Sequence, residues 1–196
     1  IVDLKGFEEE LRQQKERSRN ATAKEEGDWV EIAPYQATVF TGYENTREED
    51  VKILKYRTVK TKNKEIFQLV FDKSPFYAES GGQVGDSGYI EAKSGERIKI
   101  INTVKENGLP IHIAERIPSE PGEIFVAEID QERRNDIANN HTATHLLHHA
   151  LRKILGTHIE QKGSLVAAAY FRFDFSHFEK IDEKTLRQVE REVNRL

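Results

Sequence analysis

Apolar residues change their spacing twice along the chain, and the changes divide it into three stretches. Over residues 3–26, Leu4, Phe7 and Leu11 share one side of a predicted helix with Asp3 as its N-cap. Past Leu11 the residues turn to Gln, Lys, Glu, Arg and Ala without an apolar stripe, the pattern of a solvated helix end or a connector between domains. Gly27 ends it. From Trp29 to about Asp130, β-branched and aromatic residues cluster in short runs, predicting strands at 36–43, 51–60, 65–71, 86–92, 97–104 and 123–129. Lys62-Asn63-Lys64, Ser94-Gly95, Glu106-Asn107-Gly108 and Ser119-Glu120-Pro121-Gly122 are the turns between them. Many short strands with such punctuation predict a small antiparallel barrel, with an open sandwich as the alternative.

Helical spacing returns after Asp130. A short helix is expected over 131–137 and a longer one over about 140–155, which Gly156 stops. Strands follow over 158–166 and 170–175, where Phe171, Phe173 and Phe175 alternate with Arg172 and Asp174. A last helix over 182–196 has Asp182 as its cap and Leu186, Val189, Val193 and Leu196 as its inner face. The expected fold class is α+β: one helix (1–28), a β-barrel domain (29–130) and a helix-plus-sheet domain (131–196).

Composition narrows the function classes. With 196 residues, 37% hydrophobic and a third charged, the chain has material for one good-sized core or two small domains. No apolar run approaches a membrane span, no secretion-signal pattern opens the chain, and cysteine is absent, which removes disulfides and thiolate chemistry. A cytoplasmic location and no membrane partner are expected. The net charge of -4 supplies no overall basic footprint for nucleic acid, and no DNA partner is expected. The sequence opens on Ile1, contains no methionine and runs out at Leu196 without a helix stop, so it reads as an excised piece.

Four of the seven histidines fall within Asn139-Asn140-His141-Thr142-Ala143-Thr144-His145-Leu146-Leu147-His148-His149. On a helix they share one side, with Ala143, Leu146, Leu147, Ala150, Leu151 and Ile154 gathered opposite. One reading is a solvated face rich in histidine. The sharper one has His141 and His145, at i and i+4, supplying two ligands to a zinc ion. Two ligands do not complete a site, His158 and His177 lack ligand spacing, and the Glu of a His-Glu-x-x-His metalloprotease is missing. The stretch from Ser74 to Gly88 also stands apart, with Gly81, Gly82, Gly85 and Gly88 in eight residues. It reads either as a wide hairpin loop or as a loop whose backbone touches a substrate or the neighbouring domain. It is not a P-loop, since the terminal Lys-Ser/Thr is absent.

His141-Thr142-Ala143-Thr144-His145-Leu146-Leu147, Gln161-Lys162-Gly163-Ser164-Leu165-Val166 and Arg172-Phe173-Asp174-Phe175-Ser176-His177 together resemble the editing domain of the alanyl-tRNA synthetase family. Phe76-Tyr77-Ala78-Glu79-Ser80-Gly81-Gly82-Gln83 resembles the barrel preceding it, and Phe7-Glu8-Glu9-Glu10-Leu11 the end of that family's tRNA-recognition domain. The resemblance runs in the family's order over nearly the whole chain. It implies hydrolysis of the ester joining serine or glycine to tRNA(Ala), which a pocket built for alanine cannot fully exclude. It further implies that His141 and His145 bind zinc with a Cys-x-x-x-His segment absent from this sequence. Thr144, Gln161 and, less directly, Ser164 would line the pocket for the mischarged amino acid. ATP and magnesium would belong to an aminoacylation domain preceding Ile1. This chain alone is expected to bind zinc poorly and to deacylate weakly. Ala167-Ala168-Ala169 departs from the polar turn usual in the family. Two other readings share these features: a free-standing alanyl-tRNA deacylase, disfavoured by the helix before Trp29, and a non-catalytic tRNA-binding module.

Overall fold

The computed structural model describes residues 6, 9–13, 25–34, 36–60 and 65–196. Of the first expected helix, residues 9–13 are helical, while its Asp3 cap, Leu4 and Phe7 lie outside the described residues, as does the turn at Lys62-Asn63-Lys64. Its far end is corrected: residues 25 and 26 are a strand, and the Gly27 amide donates to the Thr58 carbonyl at 3.0 Å.

In chain order the strands are β1 (Glu25–Glu26), β2 (Val30–Glu31), β3 (Val39–Phe40), β4 (Arg47–Lys60), β5 (Glu65–Phe71), β6 (Lys73–Ser74), β7 (Gly88–Ala92), β8 (Arg97–Glu106), β9 (Leu109–Ala114) and β10 (Ile124–Ile129). Helix α1 (Gln131–Leu155), strands β11 (Gln161–Val166) and β12 (Phe171–Phe175), and helix α2 (Glu183–Arg195) follow.

Six strands close a barrel in the order β4-β10-β7-β8-β9-β5, with β5 returning to β4, and every pairing is antiparallel. Closure removes the open edges that a sheet of this length would otherwise expose. The long strand β4 makes it feasible by pairing first with β10 and then with β5, with a bulge between Ile53 and Lys55 where the partner changes. Inward side chains fill the interior, among them Val51, Ile53, Leu69, Phe71, Ile90, Ile98, Ile100 and Phe125, each no more than 1% exposed. The expected strand over 36–43 shrinks to β3, because a hydrogen-bonded turn begins at Thr41 and the two paired residues run parallel to β6. Strand β9 was not expected. Its Pro110 is tolerated because that end pairs only with β8, while β5 takes up the other side from His112 onward.

One continuous helix replaces the two expected over 131–155. Asp130 caps it by accepting from the Arg133 amide at 3.0 Å, and Gly156 ends it with φ +118. Ala150 and Leu151 of α1, Ile159, and Val189 of α2 form a second core against Leu147, Ile154, Phe173, Phe175 and Val193. Asp182 caps α2 by accepting from the Thr185 amide at 2.7 Å, but its expected inner face is narrower: Leu186 and Leu196 are half exposed. No helix among the described residues is long and apolar enough to cross a membrane.

A candidate metal and substrate site on helix α1

Helix α1 meets the barrel at its first turns. Arg133 donates to the Gly85 carbonyl at 2.8 Å, and Arg134 reaches Asp86, the Gly42 carbonyl and the Pro75 carbonyl. These bonds fix the base of the glycine loop. The loop's far side zips onto β11: the Val84 amide donates to the Val166 carbonyl at 3.0 Å and the Val166 amide to the Gly82 carbonyl at 2.7 Å. Gly82 has φ +85, and a Cβ there would fall 2.6 Å from the Ser164 carbonyl oxygen. Glycine is needed on both counts. Of the two sequence readings of this loop, contact with the neighbouring unit is the one observed.

That zipper delivers Gln83 to the histidines. Its side-chain oxygen lies 2.7 Å from Nδ1 of His141, so Nδ1 donates to it, and in the neutral ring the lone pair is then on Nε2. The Nε2 atoms of His141 and His145 lie 3.1 Å apart with the rings stacked, as the i and i+4 spacing provides. Tetrahedral zinc with Zn–N bonds of ~2.0–2.1 Å holds two nitrogens about 3.3 Å apart. The pair and its oriented tautomer therefore fit two positions of a zinc site. Among the described residues no group of three or more His, Cys, Asp or Glu could hold a metal, so this pair does not by itself complete a site.

The other expected site residues are distributed unequally around this pair. Thr144 is buried between the histidines in sequence, and its hydroxyl donates to the Asn140 carbonyl at 2.8 Å. Ser164 meets the glycine loop, its hydroxyl 3.4 Å from the Gly81 carbonyl. Gln161 stands apart, exposed at the opposite end of β11, opposite Phe175 and beside a bulge. Gln161 is three residue steps from Ser164 along the strand, about 10 Å.

Several contacts escaped the sequence reading. Asn140 donates to the carbonyls of Ala167 and Ala168 at 2.8 and 2.9 Å, holding the alanine turn to the helix. His148, expected on a solvated surface, is half-buried with its ring 5.1 Å from Phe173, and its enclosed Nε2 has no hydrogen-bond partner among the described residues. His149 is exposed. His158 opens no strand but sits in a turn, where its Nε2 is 2.9 Å from Nδ1 of His177.

Residues 1–133 match the family model described as tRNA synthetases class II (A), and the chain belongs to that family. Within it, the chain is 50% identical over 194 residues to the alanine-tRNA ligase of Christiangramia forsetii, covering 98% of this chain and 22% of that protein. The alanine-tRNA ligases of Porphyromonas gingivalis and Bacteroides thetaiotaomicron are each 51% identical over 193 residues, again 98% of this chain and 22% of theirs. The chain thus spans about a fifth of the length of the curated relatives it matches.

Proposed function

We propose that this chain is editing machinery of an alanine-tRNA ligase, hydrolysing the ester that joins serine or glycine to tRNA(Ala). The observation that carries the reading is the convergence of His141 and His145 Nε2, oriented by Gln83, in a chain half identical to alanine-tRNA ligases. In the reaction water adds to the ester carbonyl, the bond to the ribose oxygen breaks, and free amino acid and tRNA leave, with one proton passing to the ribose oxygen. An aminoacyl ester is already activated, so positioning a water and polarising the carbonyl suffice.

His141 and His145 would hold zinc with ligands beyond these residues, and bound zinc would supply Lewis-acid polarisation or orientation of the tRNA 3′ end. Thr144 spends its hydroxyl proton on the Asn140 carbonyl, which leaves the oxygen's lone pairs to accept from the substrate's ammonium or serine hydroxyl. Gln161 and Ser164 would complete the lining. Ligation of alanine with ATP and magnesium, and a cytoplasmic location, are proposed for the longer protein.

The test is clearance of Ser-tRNA(Ala) and Gly-tRNA(Ala) by the full-length protein and by its Thr144→Val and Gln161→Ala variants. Losing the buried Thr144 hydroxyl, or the Gln161 amide if it lines the pocket, should slow clearance by roughly 10-fold or more while alanine ligation persists. Wild-type protein that binds mischarged tRNA without hydrolysing it would instead establish a binding module.

A further inference from the structure

A cleft is lined in part by Tyr77, Ala78 and Ser80 of the glycine loop, and nothing in the histidine site uses it. Phe40, Tyr43 and Tyr77 wall a hollow of about 290 Å³, with Ser80 of the loop and Lys105 of β8 on its rim. Its volume is at the small end of ligand sites, suited to one flat group. Tyr43 is 85% exposed, an unusual placement for a large aromatic ring.

Exposure here does not come with looseness. The Thr41 carbonyl accepts from the amides of Glu44 and Asn45 at 3.2 and 3.0 Å, closing the turn that carries Tyr43. Gly42 is wedged so tightly that a Cβ would come 2.6 Å from the Phe40 ring, and its carbonyl accepts from Arg134 of α1 at 3.0 Å. The Tyr43 ring meets Phe40 edge-on at 4.9 Å, and Phe40 meets Tyr77 at 6.2 Å. An ordering cost is therefore already met before anything binds. The residues lining the cleft include no carboxylate, and Lys105 makes no ion pair among the described residues. On a chain of net charge -4, a cleft of three rings with a cation and no acid selects a flat, anionic ligand.

We propose that this cleft binds one unpaired nucleotide of the RNA substrate, its base stacked on Tyr43 and its phosphate near Lys105. Stacking on aromatic side chains with a neighbouring cation is how proteins hold single-stranded RNA. The assignment rests on the reading of the chain as acting on tRNA. The bridge between Ser80 and Gln83 places the cleft and the histidine pair on opposite ends of one short loop, so one strand of RNA could engage both.

The experiment titrates a fluorescent single-stranded ACCA oligonucleotide, and separately intact tRNA(Ala), onto the full-length protein at several salt concentrations. Tyr43→Ala should weaken oligonucleotide binding about 5- to 150-fold, Tyr43→Phe should retain it, and Lys105→Ala should lower the salt slope by about 0.7. Tyr43 is exposed, so Tyr43→Ala should melt as wild type does. Wild-type affinity in a folded Tyr43→Ala protein overturns the proposal. Clearance of Ser-tRNA(Ala) is measured alongside. A wild-type protein that clears nothing yet needs Tyr43 for RNA binding loses the editing reading and keeps the cleft. One that clears Ser-tRNA(Ala) equally well with Tyr43→Ala, and binds RNA equally well, keeps editing and loses the cleft.

Discussion

Nδ1 of His141 lies 2.7 Å from the side-chain oxygen of Gln83, a residue of the barrel's glycine loop 58 positions earlier. This bond couples the barrel to the histidine helix and chooses the tautomer that leaves His141 Nε2 free to ligate. His145 Nε2–H then donates to that lone pair across 3.1 Å, and for His145 to ligate a metal through Nε2 its proton would have to move to Nδ1.

Replacing Gln83 should therefore weaken a metal it never touches. Gln83→Leu is expected to lower zinc affinity of the full-length protein about 10- to 100-fold, the usual effect of losing such a partner. Gln83→Glu keeps an acceptor and should bind zinc at least as well as wild type. A competition titration with a chromogenic chelator reads both. Wild-type affinity in Gln83→Leu would sink the orienting role.

Arg134 is the corresponding structural joint. It pairs with Asp86, whose side chain is 2% exposed, and its remaining donors serve the Gly42 and Pro75 carbonyls. Arg134→Met strands a buried carboxylate whose other bond is the Tyr77 amide at 2.7 Å. Breaking one side of a buried pair costs ~3–5 kcal/mol, to be read from urea unfolding midpoints. Adding Asp86→Asn should recover part of that loss, since an amide oxygen still accepts from Tyr77. Additive losses would show that the pair does not act as a unit.

How much of this was legible follows from where each signal lies. Strand β5, the Asp182 cap and the Gly156 stop depend on neighbours in sequence, and all were readable. The six-stranded closure was foreseen as a barrel, but β9 was not, because Pro110 reads as a breaker until its unpaired edge is known. Ala138-Asn139-Asn140 interrupts the apolar spacing, so the sequence predicts two helices where the structure has α1. Asn140 is polar there because it holds the alanine turn, a contact 27 residues away. The same applies at the site. His141 and His145 are visible as an i and i+4 pair, whereas Gln83 reaches them only through the bridge from its own backbone to Val166. The resemblance groups Gln161 with the histidine pair; Gln161 begins β11, whereas the bridge that brings Gln83 to His141 joins the other end of that strand at Val166.

His112 makes the barrel's stability depend on pH in a stated direction. It is fully buried, stacked on Phe71 at 4.0 Å, with Nδ1 donating to the Leu69 carbonyl and Nε2 accepting from the Ser74 hydroxyl at 2.7 Å. Burial pushes its pKa down to about 3, against a weaker upward pull from the Leu69 carbonyl. Above pH ~6.5 the ring is neutral both folded and unfolded, and it adds no slope. As pH falls below that value the unfolded chain takes up a proton that the folded barrel refuses, so stability drops, by at most about 1.4 kcal/mol per pH unit. The loss continues until the folded pKa near 3 is reached. His112→Phe has no such proton. It should be less stable than wild type at pH 7, where the Ser74 hydroxyl loses its acceptor, and the gap should narrow steadily from pH 6.5 to 5. Urea unfolding of both proteins across that window measures it, and because the surface carboxylates are common to both, their titration cancels in the difference. A gap that stays constant would mean that His112 takes up its proton in the folded barrel as readily as in the unfolded chain.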